Sequence, residues 1–358
     1  MNILQKFFTR KYSNKVEIYS AEGAEKSRKA HSFTVIGILM LLLVVAVFMS
    51  IGFGSTKISL SAIINAIKEG DATSTVYKTI QYVRIPRTIA AILAGAALSV
   101  AGVILQSVLN NSLAGPNIIG INSGAGLFAV LAAVLFPMNY YLKTVAAFIG
   151  AIVTTLLVYF VAKKTGASRI TIVLSGVAVG SFLGAMIDTV VILRPDVVVD
   201  RASFLIGGFS AVTMEKLKFA GYLILAAFII SLIRSYDMNV LALGDETAKS
   251  LGLNVGKFRF LYLILAAVLV GSSISFTGIL GFVGLIVPHV SRIFVGYDNR
   301  VLIPVSALSG GIFTLSCDLL ARVIFAPYEL PVGIIMSFLG GPFFIWLLTK
   351  GNRGQLYD

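Results

Sequence analysis

Few side chains in this sequence could do chemistry, and their spacing narrows what that chemistry is. The two histidines, His31 and His289, are far apart, and the single cysteine is Cys317. An internal disulfide and a cysteine-based zinc site are therefore excluded. No HExxH or GxSxG motif occurs, and Gly256-Lys257 is not preceded by the glycine spacing of a phosphate loop, so the chain cannot bind ATP by that route. Acids inside apolar runs are sparse, namely Asp188 and Asp318. Asp318 and Arg322 stand i, i+4 with the acid first, the better order for a helical pair. His289 and Arg292 fall towards the end of one apolar run, where a long side chain can snorkel to the surface. A bare metal ion would want a cluster of Cys, His or carboxylate ligands, and the pattern offers none.

The elements that carry these residues are set by composition. The chain has 358 residues, 57% of them apolar and only 13% charged, with a net charge of +13; its mean hydropathy is +0.93. That balance excludes a soluble enzyme, a disordered chain and a nucleic-acid-binding domain. The fold class is all-α, a polytopic membrane protein. Runs long enough to cross a bilayer fall at 33–53, 88–109, 118–136, 144–162, 170–193, 217–235, 260–280, 281–296, 302–321 and 330–348. The eighth is short and holds Pro288, so ten spans are expected, with nine or eleven as alternatives. Residues 1–32 form a charged tail, 33–350 the membrane domain and 351–358 a short second tail. The first run follows a long polar segment and exceeds the core of a signal peptide, so it is expected to remain as a span. Most of the 29 lysines and arginines fall on one side of a ten-span topology, which favours both termini in the cytoplasm. Five spans in each half would also allow an inverted repeat.

Four sequence features stand out against this background. Gly176, Gly180 and Gly184 share one helix face, a pattern that serves tight packing within the subunit or lines a substrate path or dimer seam with small residues. Arg84-Ile85-Pro86-Arg87 precedes the second span; proline suits a first helical turn and holds Ile85 extended, while two arginines there oppose the helix dipole. They are either a membrane-edge anchor or a docking site for the acidic groups of an external partner. Leu241–Val255 reads as a helix of about two turns, capped by Asp245, with Glu246 in its first turn, Lys249 in its last and Gly252 at its end. In Gly278–Arg292, glycines every three residues and then Pro288 break the helical run, which apolar surroundings tolerate only where protein or a cavity shields the break.

Taken together, these stretches resemble the permease subunits of binding-protein-dependent ABC importers for ferric siderophores, haem and cobalamin, the FecCD type. The likeness runs from about residue 55 to 350. It includes Arg84–Arg87, the small-residue segment Gly95–Gln106, Asn111-Ser112-Leu113-Ala114-Gly115-Pro116 and Gly120–Ala125. Leu243–Val255, Gly278–Arg292, Asp298-Asn299-Arg300, Glu329-Leu330-Pro331-Val332-Gly333 and Gly340-Gly341-Pro342 continue it in the same order. Ser112 stands where the family usually has proline. The charged tail lies outside the likeness.

The resemblance implies a type II ABC importer permease of ten helices in the bacterial cytoplasmic membrane, working as one of two permease subunits, the second being the same chain or a paralogue. Two ATP-binding cassette subunits would hydrolyse ATP, with no cofactor on this chain, and an extracytoplasmic binding protein would deliver the cargo. Arg84, Arg87 and Arg322 are expected to face outward and meet its glutamates. Gly244, Asp245, Glu246, Ala248, Leu251 and Gly252 match the coupling helix that seats in the ATPase. Asn122, Ser175, Gly176 and Gly180 are candidates for the transport path, and Gly166, Ala167 and Ser168 for an inner gate. The expected cargo is a ferric siderophore or related iron chelate, with haem or cobalamin as alternatives. A proton-coupled carrier is the rival class, and the sparse intramembrane acids speak against it.

Overall fold

The computed structural model describes residues 30–56, 58, 59, 61, 62, 73–166 and 168–350. Of the expected tails, 1–32 and 351–358, residues 1–29 and 351–358 lie outside these residues, while Ala30–Ser32 already belong to the first helix. Helices and turns make up the described chain, and no strand occurs among these residues. Helix α1 is Ala30–Gly52 and α2 is Thr75–Leu109. Next come α3 (Ile121–Leu135), α4 (Tyr140–Lys164), α5 (Arg169–Leu193), α6 (Val198–Ile206) and α7 (Met214–Ile233). The rest are α8 (Ser235–Ala242), α9 (Asp245–Ser250), α10 (Val255–Thr277), α11 (Val283–Val295), α12 (Asn299–Val323) and α13 (Val332–Lys350).

A helix falls on each of the ten apolar runs. Seven of these helices are long and apolar enough to cross a membrane, while α3, α11 and α13 are apolar but shorter. Short polar side chains start several of them. Asn139, Ser168, Asn254 and Asp298 each accept a backbone N–H from the first turn of α4, α5, α10 and α12. Gly278, at φ +71°, closes α10.

Helix α2 is the axis of the bundle. It packs on α7, α10, α11 and α12, and most of its apolar stretch is buried, whereas that of α1 is barely buried. What lets these helices come so close is glycine. A Cβ on Gly95 would lie 2.1 Å from the Gly310 carbonyl, and one on Gly310 would lie 2.3 Å from the Gly95 carbonyl, so α2 and α12 touch backbone to backbone. Gly102 against Gly284 joins α2 to α11 in the same way, and Gly124 against Gly150 joins α3 to α4.

Two local expectations are corrected. Ile85 is helical, at φ −65° and ψ −52°, rather than extended, and α2 begins at Thr75, thirteen residues before the expected run at 88–109. A π-helical turn over Ile80–Arg84 widens the helix just before Pro86, whose ring would otherwise strike the preceding turn. The break near residue 280 lies at Gly278–Phe282, and Pro288 sits inside α11. A proline there leaves the Gly284 carbonyl without its helical donor, and the Gln106 side chain of α2 supplies one at 3.1 Å.

The glycine contacts predict an uneven response to added bulk. Gly95→Val should destabilise the purified protein by at least about 1–3 kcal/mol, because backbone cannot retreat as a side chain can. Gly184→Val, with nothing within 4 Å of an added Cβ, should leave thermal unfolding in detergent near wild type.

Candidate functional site

Chemistry-bearing side chains gather at the two ends of the bundle. At one end, α2 and α12 bring Arg84, Arg87 and Arg322 around Asp318, which is fully buried. Arg87 donates from Nε to both Asp318 oxygens at 3.0 and 3.1 Å, and its Nη2 lies 2.9 Å from Oδ1. Arg322 reaches the same carboxylate at 3.1 Å, the i, i+4 pair anticipated from spacing. Nη1 of Arg87 also meets Glu329 at 2.6 Å, and Glu329 accepts from the Ser55 hydroxyl at 2.6 Å. Burial works to raise the Glu329 pKa, but Ser55 and Arg87 outweigh it and hold the carboxyl below its usual range.

Expected to meet a partner's glutamates, these arginines are instead turned into the bundle. Arg84, Arg87 and Arg322 are 3%, 5% and 3% exposed. The reason is the end of α1. Its last carbonyls have no helical donors, and Arg84 gives Nη1 to Ile51 and Gly52 at 2.6 and 2.9 Å and Nη2 to Thr56 at 2.8 Å. Arg322 adds Nη1 to the carbonyls of Ser50 and Phe53 at 3.2 and 3.3 Å and Nη2 to the Ser50 hydroxyl at 2.8 Å. Two guanidiniums thus cap a helix C-terminus, where positive charge is favoured by the dipole. Arg87 alone of the three lines a cavity of about 360 Å³, which opens between α3, α4, α6 and the Glu329–Val332 loop.

At the other end, α9 forms the short helix expected at 245–252. Gly244 and Gly252, at φ +111° and +85°, turn the chain into and out of it. Ala248 is buried, Glu246 is exposed, and Leu243 and Leu251 are each 63% exposed. Asp245 does not cap the helix as expected. Its carboxylate bonds Arg259 of α10 at 2.6 Å and Arg169 of α5 at 3.2 Å. Burial works to raise its pKa, but the two guanidiniums prevail and lower it. On the same side, Arg292 does not snorkel. It donates to the Gln106 amide oxygen, so Gln106 clamps α11 twice.

The remaining candidates divide. Asn122, Gly176 and Gly180 meet around the turn at 116–120. A Cβ on Gly176 would lie 2.2 Å from the Ile118 carbonyl, so that glycine is a packing contact and lines no open space here. Gly180 faces Gly120 and Ser123, Asn122 donates to Asn117, and Ser175 is half-buried on the same helix. Ser168 accepts from the Thr171 N–H and starts α5, while Gly166, at φ +97°, precedes it. Ala167 lies outside the described residues.

The model of the FecCD transport family matches residues 42–350. The chain belongs to that family. The hemin transport system permease protein HmuU of Yersinia pestis is 34% identical, covering 88% of this chain and 95% of that protein. The Fe(3+)-citrate import system permease protein YfmD of Bacillus subtilis is also 34% identical, over 92% and 98% of the two chains. A solved metal-chelate type ABC transporter in an inward-facing conformation superposes with a TM-score of 0.79, at 29% identity, covering 88% of this chain and 99% of that one. This FecCD protein is therefore an ABC-type permease, a multi-pass protein of the cytoplasmic membrane.

Sequence reasoning missed Glu329, Ser50 and Gln106 as working parts of the FecCD bundle. Glu329 and Gln106 lie inside recognisable motifs, but their partners are 242 and 186 residues away in the chain. Ser50 carried no signal.

Removing the shared carboxylate strands the two guanidiniums that hold it. Asp318→Asn should cost about 3–5 kcal/mol, read as lost thermal stability in detergent. Glu329→Gln, at the half-exposed edge of the cluster, should cost clearly less.

Proposed function

We propose that this chain is the membrane subunit of an ATP-driven importer that carries a ferric siderophore or related iron chelate inward by alternating access. The observation that carries the reading is the surface built around α9. A two-turn helix offers exposed Leu243 and Leu251, and its Asp245 is tied by charge to both α10 and α5. A push on those leucines would reach two long helices without loss in a flexible loop, as an ATPase closing beneath the membrane requires.

In this reading the ten apolar helices all cross the membrane, with both termini and α9 in the cytoplasm. Two copies of the permease, or one with a paralogue, would sit on two cassette subunits that bind and hydrolyse ATP. The Arg87 end then faces outward and receives a binding protein. Arg87 would meet its acidic groups through the cavity, while Arg84 and Arg322 add to the positive field that steers the encounter. Asn122, Ser175 and Gly180 are kept as path candidates, and Gly166 and Ser168 as part of an inner gate. Haem is the second cargo reading, supported by the hemin permease relative; cobalamin stays a further alternative within the class. Against a proton-coupled carrier stands the engagement of both intramembrane acids, Asp318 by two guanidiniums and Asp188 by Arg201 at 2.6 Å.

Proteoliposomes holding the permease, its ATPase and its binding protein should take up a labelled ferric siderophore only with ATP and binding protein together. Uptake driven by a proton gradient without ATP would overturn the reading; uptake of haem alone would keep the class and change the cargo. Leu251→Asp should abolish uptake while moving stability by less than about 0.5 kcal/mol, as an exposed substitution does.

A further inference from the structure

Helix α8 is joined to the bundle by a side chain that accepts and donates at once. Asn239 Oδ1 accepts from the Asn299 backbone N–H at 2.9 Å and from Asn299 Nδ2 at 2.8 Å. Its own Nδ2 donates to Asp298 Oδ1 at 2.7 Å, the oxygen that also caps α12 through the Arg300 N–H. The amide has one workable orientation, because the backbone N–H can only donate and the carboxylate can only accept. Asn299, the first residue of α12, is 1% exposed, and its side-chain oxygen accepts from the Ser107 hydroxyl at 3.3 Å. A chain of hydrogen bonds therefore runs from α8 across the start of α12 to the last turn of α2.

The other contacts of α8 do different work. Met238 and Leu241 are fully buried, but apolar burial is non-directional and sets no register by itself. The Arg234 carbonyl just before α8 accepts from Tyr262 of α10 at 2.7 Å, and the Leu241 carbonyl accepts from Arg169 of α5 at 3.0 Å. The Tyr236 ring lies 5.0 Å from the Arg300 guanidinium, with both side chains exposed. At its far end α8 runs into α9 through a bonded turn, in which Leu243 and Gly244 donate to the Val240 and Leu241 carbonyls at 3.2 and 3.3 Å.

We propose that Asn239 is a positioning residue for transport, passing a displacement of α8 and α9 to α12 and α2. Resting on the importer reading, this deepens it. The Asp245 ion pairs go to α10 and α5, so the two residues divide the load between different helices. Helices α2 and α12 touch backbone to backbone at Gly95 and Gly310 and share Asp318 through Arg87. A shift imposed at Asn299 moves them as a pair and is felt at the Arg87 end. Adjacency alone does not establish such a link, so the test measures coupling itself.

Proteoliposomes holding the permease, its ATPase and its binding protein are supplied with a labelled ferric siderophore, or with haem if wild type imports only that. ATP hydrolysed and cargo imported are read in the same sample. In Asn239→Ala, cargo imported per ATP should fall at least about fivefold, the lower end of ordinary coupling between sites, with hydrolysis within about twofold of wild type. Asn239→Asp sets two carboxylates against each other and should uncouple as strongly. Adding Asp298→Asn restores complementary partners and should return the ratio to within about twofold of wild type. This paired exchange carries the test if Asn239→Ala assembles poorly. An unchanged ratio in the single variants, an equal fall in uptake and hydrolysis, or no recovery in the paired exchange overturns the proposal. The equal fall would mark Asn239 as a structural contact only. Wild-type uptake without ATP sinks the importer reading and the role of Asn239 with it, whereas ATP-driven uptake with an unchanged ratio sinks the role alone.

Discussion

A single carboxylate, Asp318, organises one end of this protein. It has no contact with solvent, and its charge is held by Arg87 from α2 and Arg322 from its own helix. A buried charge without partners would be far too costly to keep, so the two guanidiniums are obligatory companions. Each then has donors to spare. Arg322 uses its own on the end of α1, and Arg87 uses one on Glu329 at the mouth of the cavity. Helix α1, otherwise barely buried, is thus fastened to the bundle through charge rather than through a packed face. Ser50 strengthens the joint by bonding Thr88 of α2 at 2.8 Å.

The second constraint is that backbone polar groups in an apolar layer must find partners inside the protein. Each irregular point in the bundle carries its own remedy. Gln106 answers the carbonyl that Pro288 leaves open and steadies Arg292. Where α10 ends at Gly278, Ile279 donates to the Phe204 carbonyl of α6 at 2.8 Å, and Gly208 donates to Thr277 at 2.7 Å. Gly333 at the start of α13 presses on Ile206, where an added Cβ would come within 1.7 Å of its carbonyl. These contacts knot α6, α10 and α13 into one wall of the cavity.

Helix α10 links the two ends. Its first turns hold Arg259, bonded to Asp245 of α9, and its last residues line the cavity by the Glu329 loop. At 1.5 Å per residue, its 23 residues span about 35 Å. If α9 receives the ATPase as proposed, a force entering there would have a continuous helical route to the far wall. The backbone-to-backbone glycine contacts along α2 favour movement of whole helices over local bending, because close-packed backbones have no slack to absorb a displacement.

Much of this was legible in the residues themselves. Ten apolar runs located the helices, since hydropathy over some twenty residues is a local property. Asp318–Arg322 followed from i, i+4 spacing, and the turn glycines bounding α9 were visible as Gly244 and Gly252. What sequence could not decide was which distant groups would meet. Arg84 looked like a cation displayed at a helix start, yet it caps the end of another helix; Asp245 looked like a cap, yet it ties three helices together. Gly176 read as packing, with a path or dimer seam as the alternative, and the Ile118 carbonyl lies against it. Side-chain type and spacing determine what a residue is able to bond, but the partner of a buried charge or an open carbonyl is chosen by helix packing across hundreds of residues, and only the tertiary structure brings those groups within reach.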